Sequence, residues 1–129
     1  MKPKISIVSL SVADLGRALA FYRDGLGFPT HNYADGDDYI LLKLEGAWLS
    51  LMRRDPAKAA PAPGAGTVGI SHNVPSKADV DDVYELALSV GATPLQAPRD
   101  APWGGYEAGF ADPDGHGWDI AWNPFTDLT

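Results

Sequence analysis

The chain contains no cysteine among its 129 residues, which removes disulfides, thiolate metal ligands and cysteine nucleophiles together and fits a reducing compartment. Positive charge is scarce: 10 Lys+Arg stand against 17 Asp+Glu, a formal net charge of -7. Such a surface repels phosphate backbones and anionic lipid, so neither nucleic acid nor a membrane is an expected partner. No stretch approaches the ~20 apolar residues of a membrane helix. The start, Met1-Lys2-Pro3-Lys4, is basic, but the apolar run behind it is broken by Ser6, Ser9, Ser11 and Asp14 and lacks a small-residue cleavage pattern. A cytoplasmic location is the expectation. What is present, 45% hydrophobic and 21% charged residues, is the composition of a globular protein, and the length matches about one domain of ~100–200 residues.

The hydrophobic pattern runs through one unit and then starts again. Ile5 to Val12 is rich in β-branched residues and alternates over its second half, which predicts a half-buried strand. Asp14 offers an N-cap, Leu15, Ala18, Leu19, Phe21, Tyr22 and Leu26 follow at helical spacing, and Gly25 with Gly27 supply a stop, so residues 14–26 read as an amphipathic helix. Strands are expected at 28–34, 38–44 and 47–53, with turns at Asp35-Gly36-Asp37 and Glu45-Gly46. Residues 55–66 are rich in proline, alanine and glycine and read as an exposed linker. Then come a strand from Thr67 to Val74, a Ser76 cap, a helix to about Val90, a Gly91 stop, and strands near 93–97, 105–111 and 117–122. Val12 matches Val74 and Gly27 matches Gly91. The pattern is a βαβββ unit used twice, repeat one over 4–54 and repeat two over 67–125 of a single 1–129 domain. The expected class is α+β, a curved mixed sheet around a cleft with the helices on its outer face.

Three apparent motifs do not survive their context. Gly64, Gly66 and Gly69 have G-x-G-x-x-G spacing but precede a strand, whereas dinucleotide binding needs strand, turn and helix in that order. Asp112-Pro113-Asp114-Gly115 lacks calcium-loop spacing and suits a type I turn, with His116 at the tip of a hairpin. His31, His72 and His116 are far apart and no serine stands in a nucleophile elbow, so a hydrolase triad has no support.

Read with the doubled repeat, two segments carry a family resemblance: Ser11-Val12-Ala13-Asp14-Leu15 leading to Ala20-Phe21-Tyr22-Arg23-Asp24-Gly25-Leu26-Gly27-Phe28, and Phe110-Ala111-Asp112-Pro113-Asp114-Gly115-His116. Over nearly the whole length the chain resembles the vicinal oxygen chelate superfamily of glyoxalases, bleomycin resistance proteins and extradiol dioxygenases. The stretch from Trp103-Gly104-Gly105-Tyr106 to Ala121-Trp122-Asn123-Pro124-Phe125 looks like a glyoxalase-like subgroup of unassigned reaction. The resemblance implies His, Gln or Glu ligands on four strands, holding a divalent ion that chelates vicinal substrate oxygens. Those positions fall here on Ile7, Leu49, Gly69 and Asp119, only one of which can ligate. A divalent metal is therefore disfavoured, and no metal ligand set or cofactor is assigned. His72, three positions past Gly69, belongs to the opposite face and reads as a packed histidine.

If Ile7 and Asp119 face the cleft, so should Ser9, Ser11, Leu49, Leu51, Ser71, Asn73 and Ala121, an apolar floor with a few hydroxyl and amide groups. Trp103 and Tyr106 flank Gly104 and Gly105 and could stack on a planar ligand. Ser9, Leu49, Ser71, Asn73, Trp103, Tyr106, Asp119 and Ala121 are thus the candidate ligand-binding residues. Glu107 and Asp119 are candidate counter-charges, and Asp119 is the one candidate acid/base. Three readings stay open: a metal-independent homodimer that sequesters a small apolar or aromatic molecule, neutral or cationic, as the bleomycin-resistance branch does; a glyoxalase-type lyase, isomerase or dioxygenase; and an interaction module whose cleft is filled by its own side chains.

Overall fold

In the computed structural model the described residues are 1–3, 5–54 and 69–129, so the linker expected at 55–66 lies outside them. The chain divides into two compact units, Met1–Ala60 and Pro61–Thr129. The first holds β1 (Ile7–Val12), α1 (Leu15–Leu19), β2 (Thr30–His31), β3 (Tyr39–Leu42) and β4 (Trp48–Arg53). The second holds β5 (Ile70–Asn73), α2 (Lys77–Ser89), β6 (Thr93–Asp100), β7 (Tyr106–Ala111) and β8 (Gly117–Trp122). The strand orders, β1-β4-β3-β2 and β5-β8-β7-β6, are the same permutation. In each unit the first strand lies parallel to the last and the remaining pairs are antiparallel. The α+β class and the doubled βαβββ order are those the pattern predicts.

Both helices start where their caps dictate. The Asp14 carboxylate accepts from Arg17 N at 3.0 Å, and Ser76 Oγ accepts from Asp79 N at 3.2 Å while donating to Asp79 Oδ2 at 2.6 Å. Past Leu19 the first helix continues as a π-helical segment, Ala20–Gly25. There Leu26 N reaches back to Phe21 O and Phe28 N to Tyr22 O, both at 2.9 Å. The helix expected over 14–26 therefore has its extent, with a widened second half that seats two consecutive buried aromatics, Phe21 and Tyr22, edge to face.

Two strands differ from expectation. The 28–34 strand contracts to Thr30–His31, because Asn32 adopts a left-handed φ of 51° and turns the chain away. The 93–97 strand extends to Asp100 despite Pro94 and Pro98. It pairs only with β7 and so occupies a sheet edge, where a missing N–H is tolerated.

Alternation along the strands separates two faces in each unit. In the first, Leu10, Val12, Ile40, Leu42, Leu49 and Leu51 are buried with Leu15, Leu19, Phe21 and Tyr22 of the helical segment. In the second, Phe110, Trp118 and Ile120 are buried with Val80, Tyr84 and Ala87 of α2, the Phe110 and Trp118 rings near-parallel at 6.3 Å. The opposite face of this second sheet carries the polar groups of interest.

Candidate functional site

Registers across β5, β8, β7 and β6 define that face. Ser71 pairs with Asp119, Asp119 with Gly109, Ala121 with Glu107, Glu107 with Arg99 and Gly109 with Gln96. Trp118 and Ile120 take the helix side, so Asp119 and Ala121 point away from it. Ser71, Gln96, Arg99, Trp103, Glu107, Ala108, Asp119 and Ala121 together line a cavity of about 370 Å³, within the size range of small-molecule sites.

Trp103 is held from two sides. The loop between β6 and β7 closes through Gly104 N to Ala101 O at 3.0 Å and Ala101 N to Gly105 O at 2.9 Å. The indole packs directly on Gly105, where any Cβ would meet its six-membered ring. Its Nε1 donates to Glu107 Oε2 at 2.9 Å. Glu107 Oε1 accepts from Arg99 Nη2 at 3.0 Å and Nε at 3.3 Å. The ring, 44% exposed, is thus an oriented platform. Trp103 and Arg99 hold the Glu107 carboxyl below the usual glutamate range, the tryptophan hydrogen bond contributing most. A depressed carboxyl pKa stabilises the fold above the ordinary glutamate value of 4.5, and that contribution is lost as pH falls through the lower folded value. The melting-temperature gap between wild type and Glu107→Gln should therefore be widest near pH 7 and narrow as pH falls below the ordinary glutamate value, a trend that thermal melts at graded pH will check.

Asp119 differs from Glu107. It is exposed and, among the described residues, has neither a hydrogen-bond nor an ion-pair partner. Two of its neighbours are glycines, Gly109 and Gly69, where a Cβ would lie 3.6 and 3.8 Å from a carboxylate oxygen.

The sheet brings four of the candidate residues together: Ser71, Trp103, Asp119 and Ala121. Asn73 instead lines a separate hollow with Trp122 and the 123–129 tail. Tyr106 does not join Trp103; its hydroxyl donates to Asp81 of α2 at 2.9 Å and Lys77 Nζ sits 5.3 Å from its ring centroid, which places it on the helix side. Ser9 lies in the first unit, exposed and paired with Ser50. Leu49 corrects an expectation. At 3% exposure and in register with Val8 and Leu42, it belongs to the helix-covered core, as does Leu51. The match of Trp48 to Trp118 was one residue out, and one residue swaps the face of a strand. By register the counterpart of Asp119, which pairs with Ser71, is Ser50, which pairs with Ser9. His72 takes the helix side with Ile120 but is exposed, so it is not the packed histidine expected. Arg99 was not singled out because the strand was expected to end at 97, and its signal was the pairing with Glu107 across a longer hairpin; Gln96 lay inside the expected strand, where its face was not assigned.

Two βαβββ units of identical strand order, each packing one sheet face under its helix and leaving the other free of it, define a vicinal oxygen chelate domain. The chain belongs to the Glyoxalase/Bleomycin resistance protein/Dioxygenase superfamily, whose family model matches residues 4–120. It is similar to a glyoxalase-related enzyme from Fulvimarina pelagi, 25% identical with a TM-score of 0.85 over 98% of this chain and 93% of that one. It is also similar to a lactoylglutathione lyase from Agrobacterium tumefaciens, 25% identical with a TM-score of 0.69 over 95% and 96% of the two chains. A glyoxalase/bleomycin resistance protein/dioxygenase family enzyme from Burkholderia phytofirmans, 19% identical with a TM-score of 0.78 over 92% and 98%, shares the fold. No curated protein matches the chain by sequence.

The donors do not fit the divalent ion that the family implies. With Leu49 in the core, the positions facing away from the helices are Ile7 and Ser50 in the first unit and Gly69 and Asp119 in the second. A hydrocarbon, a hydroxyl, a residue without a side chain and one carboxylate do not make the convergent N and O set such ions require. Among the described residues no three His, Asp or Glu groups converge on a common point. No helix among them is long and apolar enough to cross a membrane.

Proposed function

We propose that the protein is a cytoplasmic small-molecule-binding member of this superfamily that holds an apolar or aromatic organic ligand on the open face of the second sheet, without a divalent metal. The observation that carries the reading is the pre-oriented Trp103 indole over the 370 Å³ cavity, fixed by Gly105 and Glu107 before any ligand arrives. An aromatic surface ordered in advance binds without the entropy cost of arranging it. Ser71 and Ala121 line the same cavity, in register with Asp119 and Glu107. Ligands found in a thermal-shift screen of planar organic compounds should shift the Trp103 indole Nε1–H resonance, and Trp103→Ala should weaken them about tenfold, or about 1.4 kcal/mol. Hits that leave Trp103 unmoved and bind the variant equally would overturn the reading.

A homodimer belongs to the same proposal. Ile7, Tyr39 and Met52, each about half exposed, share the face of the first sheet that carries Ser9 and Ser50, and an apolar surface of that kind favours a second copy. Light scattering should give twice the 13.7 kDa chain mass; the monomer mass would refute it. The alternative of a glyoxalase-type lyase, isomerase or dioxygenase retains Asp119 as its single candidate acid/base, and the likeness to the Agrobacterium lyase favours it.

A further inference from the structure

We infer that the ligand of the second-sheet cavity is a planar aromatic cation, an amidinium or guanidinium, whose charge is received by Asp119 while its ring lies against Trp103. The inference rests on the proposed binding role of this cavity and adds its charge class.

Among the described residues, three charged groups line the cavity: Arg99, Glu107 and Asp119. Two of them cancel. Both Arg99 contacts go to Glu107 Oε1 and the Trp103 indole takes Oε2, so the Glu107 charge is met inside the protein. Asp119 has no such partner among the described residues, which leaves the cavity one negative charge in excess. The carboxylate is also reachable, since Gly69 and Gly109 put no side chain beside it. An anionic ligand would face this uncompensated charge, and a neutral ring would leave it unused. A planar cation with two parallel N–H groups can pair with both carboxylate oxygens and present its ring to an indole face. The chain's net charge of -7 adds long-range attraction of the same sign.

The test uses one ring system in three charge states, 2-naphthamidine, 2-naphthamide and 2-naphthoate, titrated into the full-length protein and followed by ¹H–¹⁵N NMR at the Trp103 indole. The amidinium should bind at least tenfold more tightly than the amide, with the naphthoate weakest. Asp119→Asn should erase the amidinium preference, leaving the amidinium bound no more tightly than the amide; the residue is exposed, so the variant should fold, which its melting temperature will verify. Equal affinities for the three, or a preference for the naphthoate, with Trp103 still perturbed, would overturn the charge class while leaving an aromatic binding site. No perturbation of Trp103 by any of the three would overturn both.

Discussion

Gly105→Ala should lower the melting temperature by roughly 3–15 °C, the range of a 1–3 kcal/mol overpacking penalty in a chain of this length. A Cβ there would run into the Trp103 ring and stand 2.6 Å from the Trp122 carbonyl oxygen. The indole could swing aside, but the carbonyl belongs to the end of β8 and cannot move without straining the sheet. Relief at Trp103 breaks its bond to Glu107, so the indole Nε1–H resonance should move as the melting temperature falls. Ligand affinity should drop at least as far as in Trp103→Ala, because the ring is displaced into the space a ligand would use. An unchanged melting temperature with an unmoved indole resonance would show that Trp103 does not rest on Gly105.

The other large effect is expected at the far end of the same hairpin. Asp112 is 2% exposed, and its carboxylate accepts from Asp114 N at 2.9 Å and His116 N at 2.8 Å while pairing with His116 Nδ1 at 2.8 Å. Removing it leaves these groups without their acceptor, and each buried donor so stranded costs about 1–3 kcal/mol. Asp112→Ala should therefore lose about 3 kcal/mol, while Asp112→Asn, which keeps one acceptor oxygen, should lose less than half as much. The hairpin sets the register of β7 against β8, and that register puts Glu107 and Asp119 on one face. Chemical denaturation of the two variants checks the order, and equal losses would contradict it.

The fold was legible because several independent signals coincided. Asp14 and Ser76 cap helices, Gly27 and Gly91 follow them with φ of 80° and 113°, and the alternation in β8 sends Trp118 and Asp119 to opposite faces. The Asp112-Pro113-Asp114-Gly115 turn was equally plain, and Gly115 N closes it on Asp112 O at 2.9 Å. The first repeat was harder, since Trp48-Leu49-Ser50-Leu51 contains a buried serine and two buried leucines. Apolar residues at 48, 49 and 51 do not declare a face, and the alignment on Trp48 sent Leu49 the wrong way. Tyr106 misled for a related reason: the glycines before it expose Trp103, whereas its own hydroxyl finds Asp81 on a helix remote in sequence. The Arg99–Glu107–Trp103 network joins groups across a hairpin whose pairing shifts register between Pro94 and Arg99. Such irregularities leave no periodic trace.

Ligand melts in EDTA and again with Ni²⁺, Mn²⁺, Zn²⁺ or Fe²⁺ added, alongside metal analysis of the tag-free protein, decide whether the second sheet binds an organic ligand without help from a divalent ion. A group that binds only the native state raises its stability, so each arm reads binding at the site itself. Planar cationic ligands should raise the melting temperature equally in EDTA and in metal, and Trp103→Ala should abolish most of the rise. Near-stoichiometric bound metal, with ligand shifts that vanish in EDTA, would contradict metal-independent binding and point to a chelate enzyme in which Asp119 is a ligand.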